Sequence, residues 1–319
     1  MSEKKIIAVT GATGAQGGGL ARAILNDPDS EFTVRAFTRN KNSDKAKELE
    51  NLGAEIVEVN IDDPESLKKG LEGAHGAYFV TFFWEHFSPE KELKEIENMA
   101  KAAKAANIKH AIWSSLENTR EFISLDDDRM PTLMEHYKVP HFDAKGEGEH
   151  FFTDEDVPTT FLITSFYWDN FIHFGMGPQK GPDGKLYISF PLGDKKLCSM
   201  AAEDIGKCAY GIFKKGQEFI GQKVGISAEQ LTGSEMASAM SDVLGVDVNY
   251  NEMSPEDYRN LGFPGSDDLG NMFQFNRDFE EACCKARDID FSKSLNPELK
   301  SFKSWLVEHK DEIPVEQSS

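Results

Sequence analysis

Gly11, Gly14 and Gly17 recur every third residue between an apolar run, Ile6-Ile7-Ala8-Val9, and a segment of helical periodicity carrying Leu20, Ala21, Ile24 and Leu25. That arrangement can hold a diphosphate. Gly11 allows a tight turn, Gly14 lets the backbone approach the pyrophosphate, and Gly17 lets the helix pack on the strand. The free N–H groups at the helix start then face the phosphates, aided by the helix dipole. The spacing is G-x-x-G-x-x-G rather than G-x-G-x-x-G. A glycine triplet alone is weak; one that follows a strand and opens a helix is a phosphate site, with a ligand-free βα turn as the bland alternative.

The next question is which dinucleotide. The second strand signal ends Ala36-Phe37-Thr38-Arg39-Asn40-Lys41, with no acid to accept from a ribose hydroxyl. Arg39 and Lys41 suit a 2′-phosphate instead, which points to NADP over NAD. Asn60-Ile61-Asp62-Asp63 ends the third strand, where a chain passes the adenine. Asp62 or Asp63 can accept from the adenine amino group, or Asp63 can simply cap the next helix.

Hydride chemistry at such a site is commonly completed by Tyr and Lys at i, i+4 on one helix face and a Ser at the end of the fifth strand. Here that strand ends Trp113-Ser114-Ser115, and the suitably placed lysine is Lys145. Four residues before it stands His141, not Tyr; Tyr137 lies eight before, next to Pro140's turn. His141 has a pKa suited to proton transfer but a shorter reach than a phenol. The favoured reading is a site that keeps its cofactor and has lost its chemistry, with Lys145 as a ribose contact in either case. No zinc-hydrolase, nucleophile-elbow or Walker lysine motif competes, and Asp126-Asp127-Asp128 reads as a solvated loop, so no metal is expected.

The elements that must position these groups alternate. Strand signals at 5–10, 32–38, 54–59, 76–81, 109–114 and 159–164 are separated by helical patterns at 16–26, 43–52, 64–71, 89–106 and 142–153. This predicts an α/β fold, a Rossmann-type doubly wound parallel sheet spanning 1–165. A smaller C-terminal α/β lobe follows over 166–319, with some later segments returning to the first domain. It is read as a hairpin at Pro182–Lys185 leading into a strand over 186–190, helices at 202–215, 232–244, 254–261 and 296–309, and short strands at 222–227 and 246–250. The stripe Leu93, Ile96, Met99, Ala100, Ala103 reads as core, and the tail Pro314–Ser319 as frayed.

The chain of 319 residues carries 55 acidic against 35 basic residues, a net charge of −20. That balance excludes sequence-independent nucleic-acid binding and an anionic membrane surface as partners. No apolar run is long enough to span a bilayer, and Met1–Lys5 lead straight into the first strand without a signal segment. Cys198, Cys208, Cys283 and Cys284 lack zinc spacing and read as free thiols of a reducing, cytoplasmic compartment. The adjacent Cys283 and Cys284 read as one inward and one outward helix residue.

The string Gly11–Gly18 with Thr38-Arg39-Asn40 resembles the NmrA-like family of atypical short-chain dehydrogenase folds. Val80-Thr81-Phe82-Phe83-Trp84-Glu85, Ser115-Leu116-Glu117-Asn118, His141–Glu147, Met253–Tyr258 and Leu261–Gly265 resemble its NADPH-sensing, HSCARG-type branch. The resemblance covers nearly the whole chain. It implies an NADP(H)-binding redox sensor, responding to the NADPH/NADP ratio through conformation, homodimerisation and regulated partner proteins, in the cytoplasm or also the nucleus. The alternative is an NADPH-dependent reductase of quinones or carbonyls. By position it implies a phosphate loop of Gly11, Ala12, Thr13, Gly14, Ala15 and Gln16. The 2′-phosphate and adenine side is Arg39, Asn40, Lys41, Asn42 and Ser43, with Asn60 and Ile61. Thr81, Phe82 and Phe83 follow the fourth strand, Lys145 meets the ribose, and Tyr167, Trp168, Asp169 and Asn170 close over the nicotinamide. Phe82 and Phe83 depart from the branch, which often has a polar residue and a Tyr there, so side-chain hydrogen bonds are lost. The segment 121–140 reads as an insertion: a lid, a partner surface or a disordered loop.

Overall fold

A computed structural model describes residues 3–315; of the tail expected to fray, residues 316–319 lie outside it. The first half runs β1 (Lys5–Val9), α1 (Ala15–Asn26), β2 (Phe32–Thr38), α2 (Asp44–Asn51), β3 (Glu55–Glu58), α3 (Pro64–Leu71), β4 (Gly76–Phe79), α4 (Pro89–Ala105), β5 (His110–Ser115), α5 (Pro140–Glu147), α6 (Glu149–Asp154) and β6 (Thr159–Ile163). The starts are written in the residues. Ser43, Asp63 and Ser88 accept from backbone N–H groups of the first turns of α2, α3 and α4, and Pro64 and Pro89 follow at the first helical position. Asp63 is thus a cap, the blander of its two readings.

The rest runs β7 (Phe166–Tyr167), α7 (Asn170–His173), β8 (Gln179–Lys180), β9 (Leu186–Phe190), β10 (Lys196–Met200), α8 (Ala202–Lys214), β11 (Lys223–Gly225), β12 (Glu229–Thr232), α9 (Gly233–Leu244), β13 (Val248–Glu252), α10 (Pro255–Arg259), α11 (Ser266–Asp278), α12 (Glu280–Ala286), α13 (Ile289–Leu295) and α14 (Phe302–His309). The main sheet has seven strands in the order β11-β6-β5-β4-β1-β2-β3, all parallel. Its order reverses between β1 and β4, the point at which ligands settle in open α/β sheets. Central strands β4 and β5 are buried along their whole length, as a sheet covered on both faces requires. Along β1 the side chains alternate between the two cores: Ile7 and Val9 join one, Ala8 the other.

Residues beyond 165 also serve this sheet. β11 forms its edge, and α8 lies against α1 so closely that a Cβ on Gly19 would meet the Glu203 carbonyl oxygen at 2.3 Å, and one on Gly206 the Leu20 nitrogen at 2.1 Å. Two three-stranded sheets, β12-β10-β7 and β13-β9-β8, make up the second lobe, with β8 and β9 forming the expected hairpin.

The span 142–153 is two helices rather than one. They break at Gly148, where a Cβ would lie 2.4 Å from Ile96 Cδ1 of α4. The segment 121–140 is packed rather than loose. Lys138 is 1% exposed and donates to the carbonyls of Asp127 (2.9 Å) and Met130 (2.6 Å). Asn271 and Gln274 of α11 reach across to the carbonyls of Pro131, Lys138 and Arg129. Among the described residues no helix is long and apolar enough to cross a membrane.

Candidate functional site

The loop between β1 and α1 is built by its glycines. Gly11 sits at φ +58°, a left-handed conformation natural to glycine, and its carbonyl accepts from Gly14 N–H at 2.8 Å. A Cβ on Gly17 would lie 2.5 Å from the Gly11 oxygen and 2.7 Å from that of Thr10. Gly14, at the N-cap, brings no side chain to cap α1, unlike the residues that open α2, α3 and α4. The result is a helix start with a bare, exposed rim at Gly11, Gly14 and Ala15, while Ala12 is fully buried. Such a rim can receive an anion, and its shape fits a diphosphate held by backbone N–H groups.

Gln16 does something its position in the loop did not reveal. Its Oε1 accepts from the hydroxyls of Tyr78 (2.6 Å) and Ser114 (2.8 Å), and its Nε2 donates to the hydroxyl of Tyr167. One side chain therefore ties the loop to β4, β5 and β7. Burial pushes the Tyr78 phenol far up and the Tyr167 phenol up to about 12, so both stay protonated. Gln16 keeps its backbone and one amide N–H for a ligand.

On the adenine side, Arg39 is exposed and forms an ion pair with Glu85, which lies in a 3₁₀ turn over Phe83–Glu85. Lys41 is exposed beside it. Asn40 Oδ1 accepts from Asn42 N–H at 3.0 Å and Ser43 caps α2, so these two side chains shape the turn that presents Arg39 and Lys41. Asn60 Oδ1 likewise accepts from Asp62 N–H at 3.1 Å, and Ile61 is half-buried with its carbonyl near Asn98 Nδ2.

The side chains expected after β4 and over the nicotinamide also have protein neighbours. Trp168 is fully buried against Phe302 and Trp305. Asp169 accepts from Ala202 N–H at 2.9 Å, at the start of α8. Among the described residues Trp168 Nε1 is buried without a hydrogen-bond partner, and Asp169 is half-buried with its other carboxylate oxygen uncommitted. Phe83 is buried among Trp84, Phe87 and His141, whereas Phe82 is 53% exposed. Tyr167 reaches the glycine loop, though through Gln16; Asn170 is half-buried at the start of α7.

Lys145, on α5, is buried with its ammonium 2.6 Å from Thr81 Oγ1 and 2.6 Å from Glu92 Oε1, and over the Trp113 ring. Burial alone would raise the Glu92 pKa, but the Lys145 charge, the nearby His86 and hydrogen bonds from Lys145 and Thr81 hold it down at about 2. Beyond Glu92 lie His86 and Glu95. Burial, then the Glu92 charge, pushes Glu95 up to about 7. One ligand atom each of His86, Glu92 and Glu95 falls within 4.8 Å of the others, a spacing suggestive of a metal. The chemistry argues otherwise. His86 Nδ1 accepts from Ser88 N–H at 3.0 Å, so the ring proton resides on Nε2, the atom that faces the carboxylates. A ligating His normally donates from its other nitrogen. His86 Nε2 and Glu92 Oε2 lie 3.4 Å apart, both buried without a hydrogen-bond partner among the described residues.

Glu92 and Glu95 were missed as site residues. The signal was there: they fall at the inward positions of α4 together with Ile96 and Met99, while Leu93 of the expected stripe is only half-buried.

His141 sits one helical turn before Lys145. Its Nδ1 is 2.6 Å from Asp268 Oδ1, and its backbone N–H donates to Asp268 Oδ2 at 3.1 Å. The carboxylate fixes the tautomer with the proton on Nδ1, leaving Nε2 as the free nitrogen. The ring packs on Trp84 at 4.7 Å. The pair both clasps α5 to α11 and meets the geometric requirement of an acid–base dyad.

The family model for the NmrA-like family matches residues 3–306. An NmrA-like family domain-containing protein of Dictyostelium discoideum is 28% identical over 263 residues, covering 80% of this chain and 82% of its own. The NmrA-like family domain-containing oxidoreductase FrzB of a Cladobotryum species is 28% identical over 298 residues, covering 85% and 83%. Among solved structures, NmrA, a negative transcriptional regulator crystallised in complex with NADP, superposes with a TM-score of 0.78 at 23% identity over 96% of this chain and 95% of its own. With its glycine loop, its parallel seven-stranded sheet and this match along almost all its length, the chain belongs to the NmrA-like family.

Proposed function

We propose that this protein binds NADP(H) and acts as a redox sensor of the HSCARG type, reporting the NADPH/NADP ratio to partner proteins rather than turning over a substrate. The observation that carries the reading is the pairing of an open phosphate loop with a lysine whose charge is already committed. Lys145 faces Glu92, and the position one turn earlier offers no phenol whose ionisation it could assist. The loop would hold the diphosphate, Arg39 and Lys41 the 2′-phosphate, and Lys145 the nicotinamide ribose. NmrA has been crystallised with NADP and with NAD, which supports a nicotinamide dinucleotide as the ligand; the preference for NADP(H) rests on Arg39 and Lys41.

Gln16 supplies a route for a response. It joins the loop that would meet the diphosphate to Tyr167 of β7, and β7 pairs with β10 of the second lobe. A ligand that binds better when this link is made shifts the population toward the linked form, and only such a difference can shift it. Homodimerisation, partner binding and a cytoplasmic or nuclear site of action belong to the same proposal. The test is to titrate NADPH and NADP⁺ separately while following protease protection of the 160–200 region and the dimer fraction. Equal responses to the two, or none, defeat the sensor reading.

The second reading, an NADPH-dependent reductase of quinones or carbonyls, is favoured by one observation: the Asp268–His141 pair at 2.6 Å. Its assay is NADPH oxidation against a quinone and carbonyl panel. Turnover that disappears in both His141→Phe and Asp268→Asn, with NADPH affinity kept, selects this reading.

A further inference from the structure

Two of the four cysteines meet in space although the sequence sets them 86 residues apart. Cys198 lies in β10 and is 3% exposed; Cys284 lies in α12 and is half-buried. Their sulfurs are 3.7 Å apart. Cys283, the sequence neighbour of Cys284, is buried, and consecutive residues of a helix point about 100° apart, so the vicinal pair is not the one that meets. Cys208 is separate, on α8, with its sulfur near the Ser292 carbonyl.

The backbones that carry the two sulfurs are fixed to one another. Gln230 is the cross-strand partner of Cys198 in β12, and its Nε2 donates to the carbonyls of Cys284 (2.9 Å) and Arg287 (3.0 Å). Arg287, just past α12, donates to the Thr164 carbonyl at 2.9 and 2.7 Å and pairs through both terminal nitrogens with Glu117. Thus β10 and the end of α12 are held in register with the two sulfurs 3.7 Å apart, against about 2.05 Å in a disulfide.

We propose that Cys198 and Cys284 are a redox modification site that forms a reversible disulfide when a hydroperoxide oxidises Cys284. The two thiols are unequal, which sets the order of events. The Cys198 thiol donates to Cys284, and this bond, with help from Lys196 and Arg287 against burial and Glu280, lowers the Cys284 pKa. The same bond and burial push Cys198 far up. Cys284 is also the more accessible, so its thiolate attacks an oxygen of the peroxide. The S–O bond forms, the O–O bond breaks, and the other oxygen leaves as hydroxide or alkoxide to take up a proton. Cys198 then attacks the resulting sulfenic sulfur. The S–S bond forms, the S–O bond breaks, and the departing hydroxide takes the Cys198 proton as water. Two electrons pass from the thiols to the peroxide, and a dithiol reverses the step. This site stands independently of dinucleotide binding, although β10 is the strand paired to β7 and hence to Tyr167 and Gln16.

The experiment exposes the full-length folded protein to hydrogen peroxide, blocks free thiols with iodoacetamide and maps the digest by mass spectrometry without reduction. Circular dichroism confirms that the oxidised protein keeps its fold. The expected result is a cross-linked peptide joining Cys198 to Cys284, removed by dithiothreitol, retained in Cys283→Ser and lost in Cys284→Ser. In Cys198→Ala, dimedone should label Cys284; if that buried variant does not fold, the wild-type map and the two exchanges on α12 decide. Alkylation of all four cysteines after peroxide, a bridge through Cys283 or Cys208, or Cys284 carried to sulfinic acid without a bridge each overturns the proposal.

Discussion

Arg39 and Glu85 make a sharp test of cofactor choice, because the residue assigned to the 2′-phosphate already has a partner. Their side chains are 75% and 49% exposed, so the ion pair between them contributes only about 0.2–1 kcal/mol. A charge-assisted bond from the guanidinium to a phosphate contributes about 1.5–3 kcal/mol. A 2′-phosphate therefore displaces Glu85 at a net gain of about 0.5–2.8 kcal/mol, a factor of roughly 2 to 100 in affinity. Arg39→Ala should weaken NADPH binding by that factor and leave NADH binding unchanged. Glu85→Gln removes the competitor and should tighten NADPH by about 1.5- to 5-fold, again with no effect on NADH. In the double variant the Glu85→Gln gain should vanish, since there is no longer a guanidinium to release. Isothermal titration of the four proteins with both dinucleotides gives every number. The reasoning fails if Arg39→Ala weakens NADH as much as NADPH, or if Glu85→Gln weakens NADPH.

Three further predictions address the loop and the buried charges. Gly17→Ala places a Cβ 2.5 Å from the Gly11 oxygen and should abolish dinucleotide binding while costing stability of about 2 kcal/mol or more, read by denaturant unfolding. Lys145→Met leaves Glu92 buried without its counter-charge and should cost about 3–5 kcal/mol at pH 7, most of it recovered in the Lys145→Met, Glu92→Gln double variant. Glu95 has its folded pKa raised to about 7 from an ordinary 4.5, so its contribution is full below pH 4.5 and is lost as pH rises through 7. Glu95→Gln should accordingly stabilise the protein at pH 8, on the order of 2 kcal/mol, and do little at pH 4.5, as thermal unfolding at the two values will show.

The sheet was legible because its strands are apolar runs and its helices begin with readable caps; Ser43, Asp63 with Pro64, and Ser88 with Pro89 mark three of them. Helix α11 was hidden for a physical reason. Asn271, Gln274 and Asn276 are buried and hydrogen-bonded to carbonyls, so polar letters occupy inward positions and the apolar period disappears. The break between α5 and α6 depends on Ile96, which is distant in sequence. The glycine loop and Arg39 could be read from local spacing. The partners that qualify them could not: Lys145 is joined to Glu92 across 53 residues, Gln16 to Tyr167 across 151, and His141 to Asp268 across 127. The packing of Trp168 among Phe302 and Trp305, and the bond from Ala202 N–H to Asp169, likewise join residues far apart in sequence.

The most direct measurement is calorimetric titration of the native full-length protein with NADPH, NADP⁺, NADH and NAD⁺ under one set of conditions. Saturable one-to-one heat with the 2′-phosphorylated pair, weaker by roughly 2- to 100-fold without that phosphate, is the predicted result. Absence of heat with all four on folded protein would contradict the assignment of the β1–α1 loop as a diphosphate cradle.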